Sequence, residues 1–139
     1  MKGKAFLDTN LFVYMQSSSD INKKELSFKA LESFDCMVST QVLNEFCNIA
    51  VKKLNMKPEQ VEKILFAIEN TCEIAVITFE TIKKALRIKE KYGYSYYDSL
   101  ILSSALEYDN KYLFSEDMKD GQIIDNCLEI VNIFFRNDF

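Results

Sequence analysis

Apolar residues along this chain fall into two kinds of run that alternate: short continuous stretches, and longer stretches in which they recur every three or four positions. Ala5-Phe6-Leu7 is the first short run, stopped by Asp8-Thr9-Asn10 as a strand gives way to turn or helix-cap residues. Leu11 to Gln16 predicts a helical turn, and Ser17-Ser18-Ser19-Asp20 a loop. From Asn22 to Phe34, Leu26, Ala30, Leu31 and Phe34 recur at helical spacing. Cys36-Met37-Val38 is the second strand, with Ser39 or Thr40 placed to cap the next helix. That helix carries Val42, Leu43, Phe46, Ile49, Ala50 and Leu54 on one face. Pro58 opens another at a tolerated first-turn position, continued by Val61, Ile64, Leu65 and Ile68.

Ile74-Ala75-Val76-Ile77 is a continuous apolar strand, suited to burial on both faces of a parallel sheet. Thr78 to about Tyr92 is again helical, with Gly93 as its stop, and Ser95 to Tyr108 is a further helix. Tyr112-Leu113-Phe114 and Ile130-Val131-Asn132-Ile133 make the last strands. Strands and helices alternating at these lengths predict an α/β sandwich with a mainly parallel sheet. In such sheets ligands bind at the carboxyl ends of strands.

Composition narrows the chemistry. A chain of 139 residues fits one domain, residues 1–139, and its 48% hydrophobic and 27% charged content is that of a folded globular protein. Three glycines and one proline leave little material for linkers. No apolar run approaches the roughly 20 residues needed to span a bilayer, so no membrane partner is expected. Met1-Lys2-Gly3-Lys4 leads into a strand and is not a secretory signal, which places the expected home in the cytoplasm. Cys36, Cys47, Cys72 and Cys127 stand in apolar contexts without zinc-site spacing and read as reduced core thiols. There is no histidine. Ser-His-Asp and Cys-His mechanisms are therefore excluded, and a hydrolase would have to work through carboxylates and a metal.

Four acids interrupt or border the apolar runs, where a carboxylate is costly unless something compensates it. They are Asp8, Glu45 in Leu43-Asn44-Glu45-Phe46, Asp98 in Tyr97-Asp98-Ser99, and Asp117 in Phe114-Ser115-Glu116-Asp117. Asp8 and Asp117 follow predicted strands, and Glu45 and Asp98 lie near the starts of helices that approach the same edge. The topology predicts that they converge. Each also has a plainer role open to it. Asp8 is placed as an N-cap, with Asn10 as a second cap candidate. Glu45 lies on or beside the apolar face, although its spacing to Asn48 leaves a rim position open. Asp98 leads the stripe of Ile101, Leu102 and Ala105 but also completes a Ser95-x-x-Asp98 capping box. Glu116, Asp117 and Asp120 crowd one loop, as solvated charge runs do; distance from the strand favours Asp117, with Asp120 in reserve. If the four meet, their repulsion calls for a cation, and an all-carboxylate pocket suits Mg²⁺ or Mn²⁺.

Taken in order, Phe6-Leu7-Asp8-Thr9-Asn10, Ser39-Thr40-Gln41-Val42-Leu43-Asn44-Glu45-Phe46, Tyr97-Asp98-Ser99-Leu100-Ile101-Leu102-Ser103-Ser104-Ala105 and Leu113-Phe114-Ser115-Glu116-Asp117 resemble the motifs of the PIN-domain ribonucleases. The likeness is strongest to the VapC-type toxins of bacterial toxin–antitoxin pairs and covers nearly the whole chain. The resemblance implies a PIN-like three-layer α/β/α sandwich and an endoribonuclease. Its implied cofactor is one or two Mg²⁺ or Mn²⁺ ions per site, held by Asp8, Glu45, Asp98 and Asp117. Thr9, Asn10 and Ser115 would orient those acids or water. It also implies an RNA substrate, a cognate antitoxin and a homodimer.

A net charge of −4 is unusual for a chain that binds RNA. Lys83, Lys84, Arg87, Lys89 and Lys91 form a basic stretch able to meet a backbone, and equally able to be a solvated helix face; Lys52, Lys53 and Lys57 stand in the same position. Phe134, Phe135 and Phe139 read as core, closing flap or interface. Three rivals remain. A haloacid-dehalogenase-type phosphatase needs a second aspartate where Asn10 stands. A PIN-like module that binds RNA or protein without cutting is the stronger alternative, although such modules usually lack one of the acids. An acidic regulatory domain would bind cations and hydrolyse nothing.

Overall fold

The computed structural model describes residues 2–139; Met1, the first residue of the stretch read above as not being an export signal, lies outside them. Strand β1 (Lys4–Leu7) leads into helices α1 (Thr9–Met15) and α2 (Ile21–Ser33), then β2 (Asp35–Ser39). Helices α3 (Thr40–Lys52) and α4 (Pro58–Thr71) connect to β3 (Glu73–Ala75), and α5 (Phe79–Tyr92) and α6 (Tyr96–Glu107) to β4 (Tyr112–Phe114). A hairpin, β5 (Ile123–Ile124) and β6 (Leu128–Val131), closes the sheet. The strand order is β3-β2-β1-β4-β6-β5, parallel throughout except for β5.

Local chemistry sets the boundaries. Asp20, Ser39, Thr78 and Ser95 cap α2, α3, α5 and α6 through side-chain oxygens that accept backbone N–H bonds. Gly93 ends α5 in the left-handed conformation, φ 79°, which a side chain would strain. The steps from β1 to β2 to β3 run one way across the sheet, so right-handed crossovers put α1–α4 on one face. The return from β3 past both strands to β4 puts α5 and α6 on the other. Helix contacts divide the same way: α1 with α2 and α3, α3 with α4, and α5 with α6. The alternation predicts an α/β sandwich with a mainly parallel sheet, and the protein has one, in the three layers that the resemblance implies.

The core lies between these layers. Phe6, Phe12, Phe46 and Phe114 are at most 1% exposed, each contributing roughly 1.5–3 kcal/mol by burial. Phe139 returns from the C-terminus to pack on Phe34, Tyr112 and Phe114, and Phe134 meets Tyr14, whereas Phe135 is exposed. No helix among the described residues is long and apolar enough to cross a membrane.

Four expectations need correction. The run Ile74–Ile77 is not a strand buried on both faces. Its strand stops at Ala75, pairs only with β2 at the sheet edge, and leaves Val76 59% exposed. The last strand ends at Val131 rather than Ile133. Hairpin strand β5 was not expected; Asp125 and Asn126, both at positive φ, make the two-residue turn into β6, and Cys127 N–H donates to the Ile124 carbonyl. Among the thiols, Cys36 and Cys72 are buried and Cys47 is half-buried, but Cys127 is exposed in that hairpin. All four are free, and burial pushes Cys36 up to about 12 and Cys72 up to about 11.

Candidate metal centre

Between β1 and β4 the direction of chain progression reverses, because β2 and β3 lie to one side of β1 and β4 to the other. Ligands collect outside the carboxyl ends of strands at such a switch point. Asp8 follows β1 there, with its N–H bonded to the Phe114 carbonyl of β4 at 3.0 Å. Ser115 and Asp117 follow β4. Asp98 lies in the first turn of α6, and Glu45 lies in the second turn of α3.

Hydrogen bonds weave these segments together. Asp8 is 5% exposed and accepts the Thr9 N–H at 2.7 Å and the Ser115 hydroxyl at 2.8 Å. Its capping role and its place in the cluster coexist, one oxygen serving each. The Thr9 hydroxyl donates to Glu45 at 2.7 Å, and Asn10 donates to Asp117 at 2.9 Å. Ser115 also accepts the Asp117 N–H at 3.3 Å. Thr9, Asn10 and Ser115 thus each donate a side-chain hydrogen bond to one of these carboxylates. Asp98 is half-buried, and its N–H is capped by the Ser95 hydroxyl at 3.2 Å.

Asp120 stands apart. It accepts from the Asn132 N–H at 2.8 Å and pairs with Arg136 at 3.1 Å, so the loop presents Asp117 and not Asp120 towards Asn10. Glu116 is likewise committed, to Lys23 at 2.6 Å and to the Tyr14 hydroxyl. Gln41 was missed from sequence. It is 8% exposed and donates both to Glu45 at 2.9 Å and to the Tyr97 carbonyl at 3.0 Å, tying α3 to α6 beside the acids. Its position four residues before Glu45 was the available signal.

The electrostatics are one-sided. Asp8 is pushed up to about 6, chiefly by burial; the charges of Glu45 and Asp98 add to this, while the Ser115 and Thr9 hydrogen bonds oppose it. Asp98 is also raised, by burial first and then by Asp117 and Glu45. Glu45 thus acts on both Asp8 and Asp98, and Asp117 acts on Asp98. None takes part in any of the five ion pairs among the described residues. As the side chains stand, no three His, Cys, Asp or Glu residues among the described residues come close enough together to hold a metal ion. An all-oxygen, uncompensated set of four carboxylates nevertheless has the donor chemistry that a hard divalent cation requires. In donor type, though not in the spacing of the side chains as they stand, the residues fit such an ion.

Comparison with known proteins agrees with this fold. The family model described as PIN domain matches residues 5–119. A toxin–antitoxin complex from Klebsiella pneumoniae is similar in fold, at 21% identity and TM-score 0.70, over 93% of this chain and 97% of that one. VapC20 of Mycobacterium tuberculosis, a sarcin-ricin loop cleaving toxin, is 16% identical at TM-score 0.66, covering 81% of this chain and 91% of its own. VapBC2 from Rickettsia felis, bound to a DNA fragment from its promoter, is 22% identical at TM-score 0.63, over 91% and 98% of the two chains. No curated protein matches the chain.

Proposed function

The chain belongs to the PIN domain family, and from that premise we propose that it is a Mg²⁺- or Mn²⁺-dependent endoribonuclease, the toxin of a toxin–antitoxin pair. One observation supports the reading: at the switch-point end of the sheet Asp8 feels the charges of Glu45 and Asp98, Asp98 feels those of Asp117 and Glu45, and none of the four is paired to a cationic side chain among the described residues. Acids serving only stability would be expected to sit against lysine or arginine, as others in this chain do.

Asp8, Glu45, Asp98 and Asp117 would hold one or two ions. When bound, such an ion supplies a Lewis acid for phosphoryl oxygens and a water of lowered pKa. The chain's own groups fix the geometry. Ser115 keeps Asp8 turned towards the β4 loop, Thr9 and Gln41 hold the two oxygens of Glu45, and Asn10 draws Asp117 inward. Donors of this kind set the orientation and basicity of a ligating carboxylate. Burial of Asp8 on the strand ends keeps that side of the site dry, which strengthens every charge interaction within it.

An antitoxin partner and a homodimer belong to the same proposal, the first supported by the likeness in fold to the toxin–antitoxin complex from Klebsiella pneumoniae. The test is incubation of protein freed of any partner with total RNA and Mg²⁺ or Mn²⁺, beside EDTA and Asp98→Asn controls. Discrete products lost in both controls are expected. A folded protein that binds metal and leaves all RNA intact would move the assignment to a non-cutting PIN-like module.

A further inference from the structure

A groove of about 540 Å³ opens beside Glu45, between α3 and the start of α6, within the roughly 300–1,000 Å³ of small-ligand sites. Thr40, Asn44 and Asn48 line it at successive turns of α3, Tyr97 and Leu100 line it from α6, and Ile77 lines it from the segment after β3. The Thr40 hydroxyl accepts the Ile77 N–H at 3.2 Å, which binds that segment to α3. Tyr97 is 65% exposed, and its ring is braced by an edge contact with Tyr96, centroids 5.3 Å apart. Asn44 and Asn48 are exposed. Gln41, in the same wall, gives its nitrogen to Glu45 and Tyr97 and leaves its amide oxygen without a partner.

The charge pattern restricts the occupant. Glu45 is the one charged lining residue among the described residues, so a phosphate entering the groove meets no cation. A nucleobase meets a flat aromatic face, two amides that match donor and acceptor edges, and apolar contacts from Ile77 and Leu100. Stacking and amide contacts are also binding modes that the chain's net charge of −4 does not weaken. A base offers both its face and its Watson–Crick edge only when unpaired. We propose that this groove is a nucleobase subsite for single-stranded RNA, seating a base next to the phosphate held at the acids, with Tyr97 as the stacking platform and Asn44 and Asn48 as base-edge readers. The proposal rests on the ribonuclease reading and names how that site selects its substrate.

The test uses short single-stranded homopolymer RNAs of the four bases, in Ca²⁺ to support binding, with a 5-iodouridine version of the uridine strand for photocrosslinking. The crosslink is expected on Tyr97. Tyr97→Ala should weaken the preferred homopolymer by about tenfold or more, Tyr97→Phe should restore it, and Asn48→Ala should shift the order of preference among bases. Circular dichroism of each variant checks the fold, which an exposed side chain does not support. A crosslink placed elsewhere, unchanged affinity in Tyr97→Ala, or no homopolymer binding at all would overturn the subsite. Cleavage of the same RNAs in Mn²⁺ is scored separately. Tyr97-dependent binding without cleavage removes the ribonuclease reading and keeps the subsite; cleavage whose KM ignores Tyr97→Ala does the reverse.

Discussion

Glu116, Asp117 and Asp120 leave one loop, yet the fold treats them in two ways. Glu116 reaches Lys23 and Asp120 reaches Arg136, each a carboxylate neutralised by a cation from a distant element. Asp117 meets the uncharged amide of Asn10. The division extends across the molecule. Glu129 and Asp125 are paired with Arg136 and Lys91, whereas Asp8 and Glu45 are held by hydroxyls and an amide. Cations neutralise the flanking acids and make them braces. Neutral donors fix the central acids in direction and leave their charge for a ligand.

The strongest way to break this comparison is to neutralise one acid from each group. Asp98→Asn and Asp8→Asn should each lower RNA cleavage at least about 100-fold, the scale of losing one charge-stabilising group at a reacting centre, while the proteins stay folded. Glu116→Gln should cleave near the wild-type rate. Equal losses from Glu116→Gln and Asp98→Asn would erase the distinction between brace and site.

The neutral donors come next. Ser115→Ala and Thr9→Val should weaken Mn²⁺ binding about 10- to 100-fold by calorimetric titration, the usual cost of removing a hydrogen-bond partner of a ligating group. Titrations that overlay the wild type would mean these hydroxyls support the fold alone.

Protons sharpen the comparison further. Asp8 carries a folded-state pKa of about 6 against an ordinary 3.8, so the folded chain keeps its proton where the unfolded chain has lost it. Stability from this group is fully present below about pH 4 and is lost as pH rises through about 6. The shift of about two units sets an upper bound of ~3 kcal/mol. In EDTA, wild-type urea stability should therefore fall between pH 4 and 6 relative to Asp8→Asn, and Mn²⁺ should reverse the deficit near neutrality. Parallel curves for the two proteins would show that Asp8 bears no such burden.

Much of this was legible in sequence because strand and helix patterns are local. Ala5-Phe6-Leu7, the α3 stripe and the Thr78 and Ser95 caps each announce themselves within a few residues, and alternation then restricts the topology. The convergence of Asp8 and Asp117 follows from the strand ends once β1 and β4 are neighbours. Choosing Asp117 over Asp120 was harder, since spacing leaned only weakly towards the first, and what separates them is Arg136, which lies beyond another strand and reaches back across space. The hairpin at Asp125-Asn126 lacked the glycine that usually marks such turns, and β3 is short because it has one partner, a fact of sheet order rather than of the Ile74–Ile77 run.

The smallest effects lie on the flank, where Lys23 brings together Glu116, Tyr14 and Phe134. Its ammonium is 2.6 Å from Glu116 and lies 4.9 Å and 5.4 Å from the centroids of the Tyr14 and Phe134 rings. Burial and the Glu116 carboxylate raise the Tyr14 hydroxyl, so that phenol stays protonated and donates to the same acid. Lys23→Ala removes the cation, exposes Glu116 to a phenol alone, and loosens α2 from the loop after β4. Because the pair is partly solvated, the expected cost is about 1 kcal/mol, read as a lower urea midpoint with an unchanged slope. Arg136→Ala, which frees both Asp120 and Glu129, should behave alike. Neither variant should alter Mn²⁺ affinity or cleavage, because both cations pair with acids other than the four proposed as ligands. A Lys23→Ala protein that stays folded but loses Mn²⁺ affinity would join Glu116 to the centre through its neighbour Asp117, and the two groups of acids would have to be treated as one.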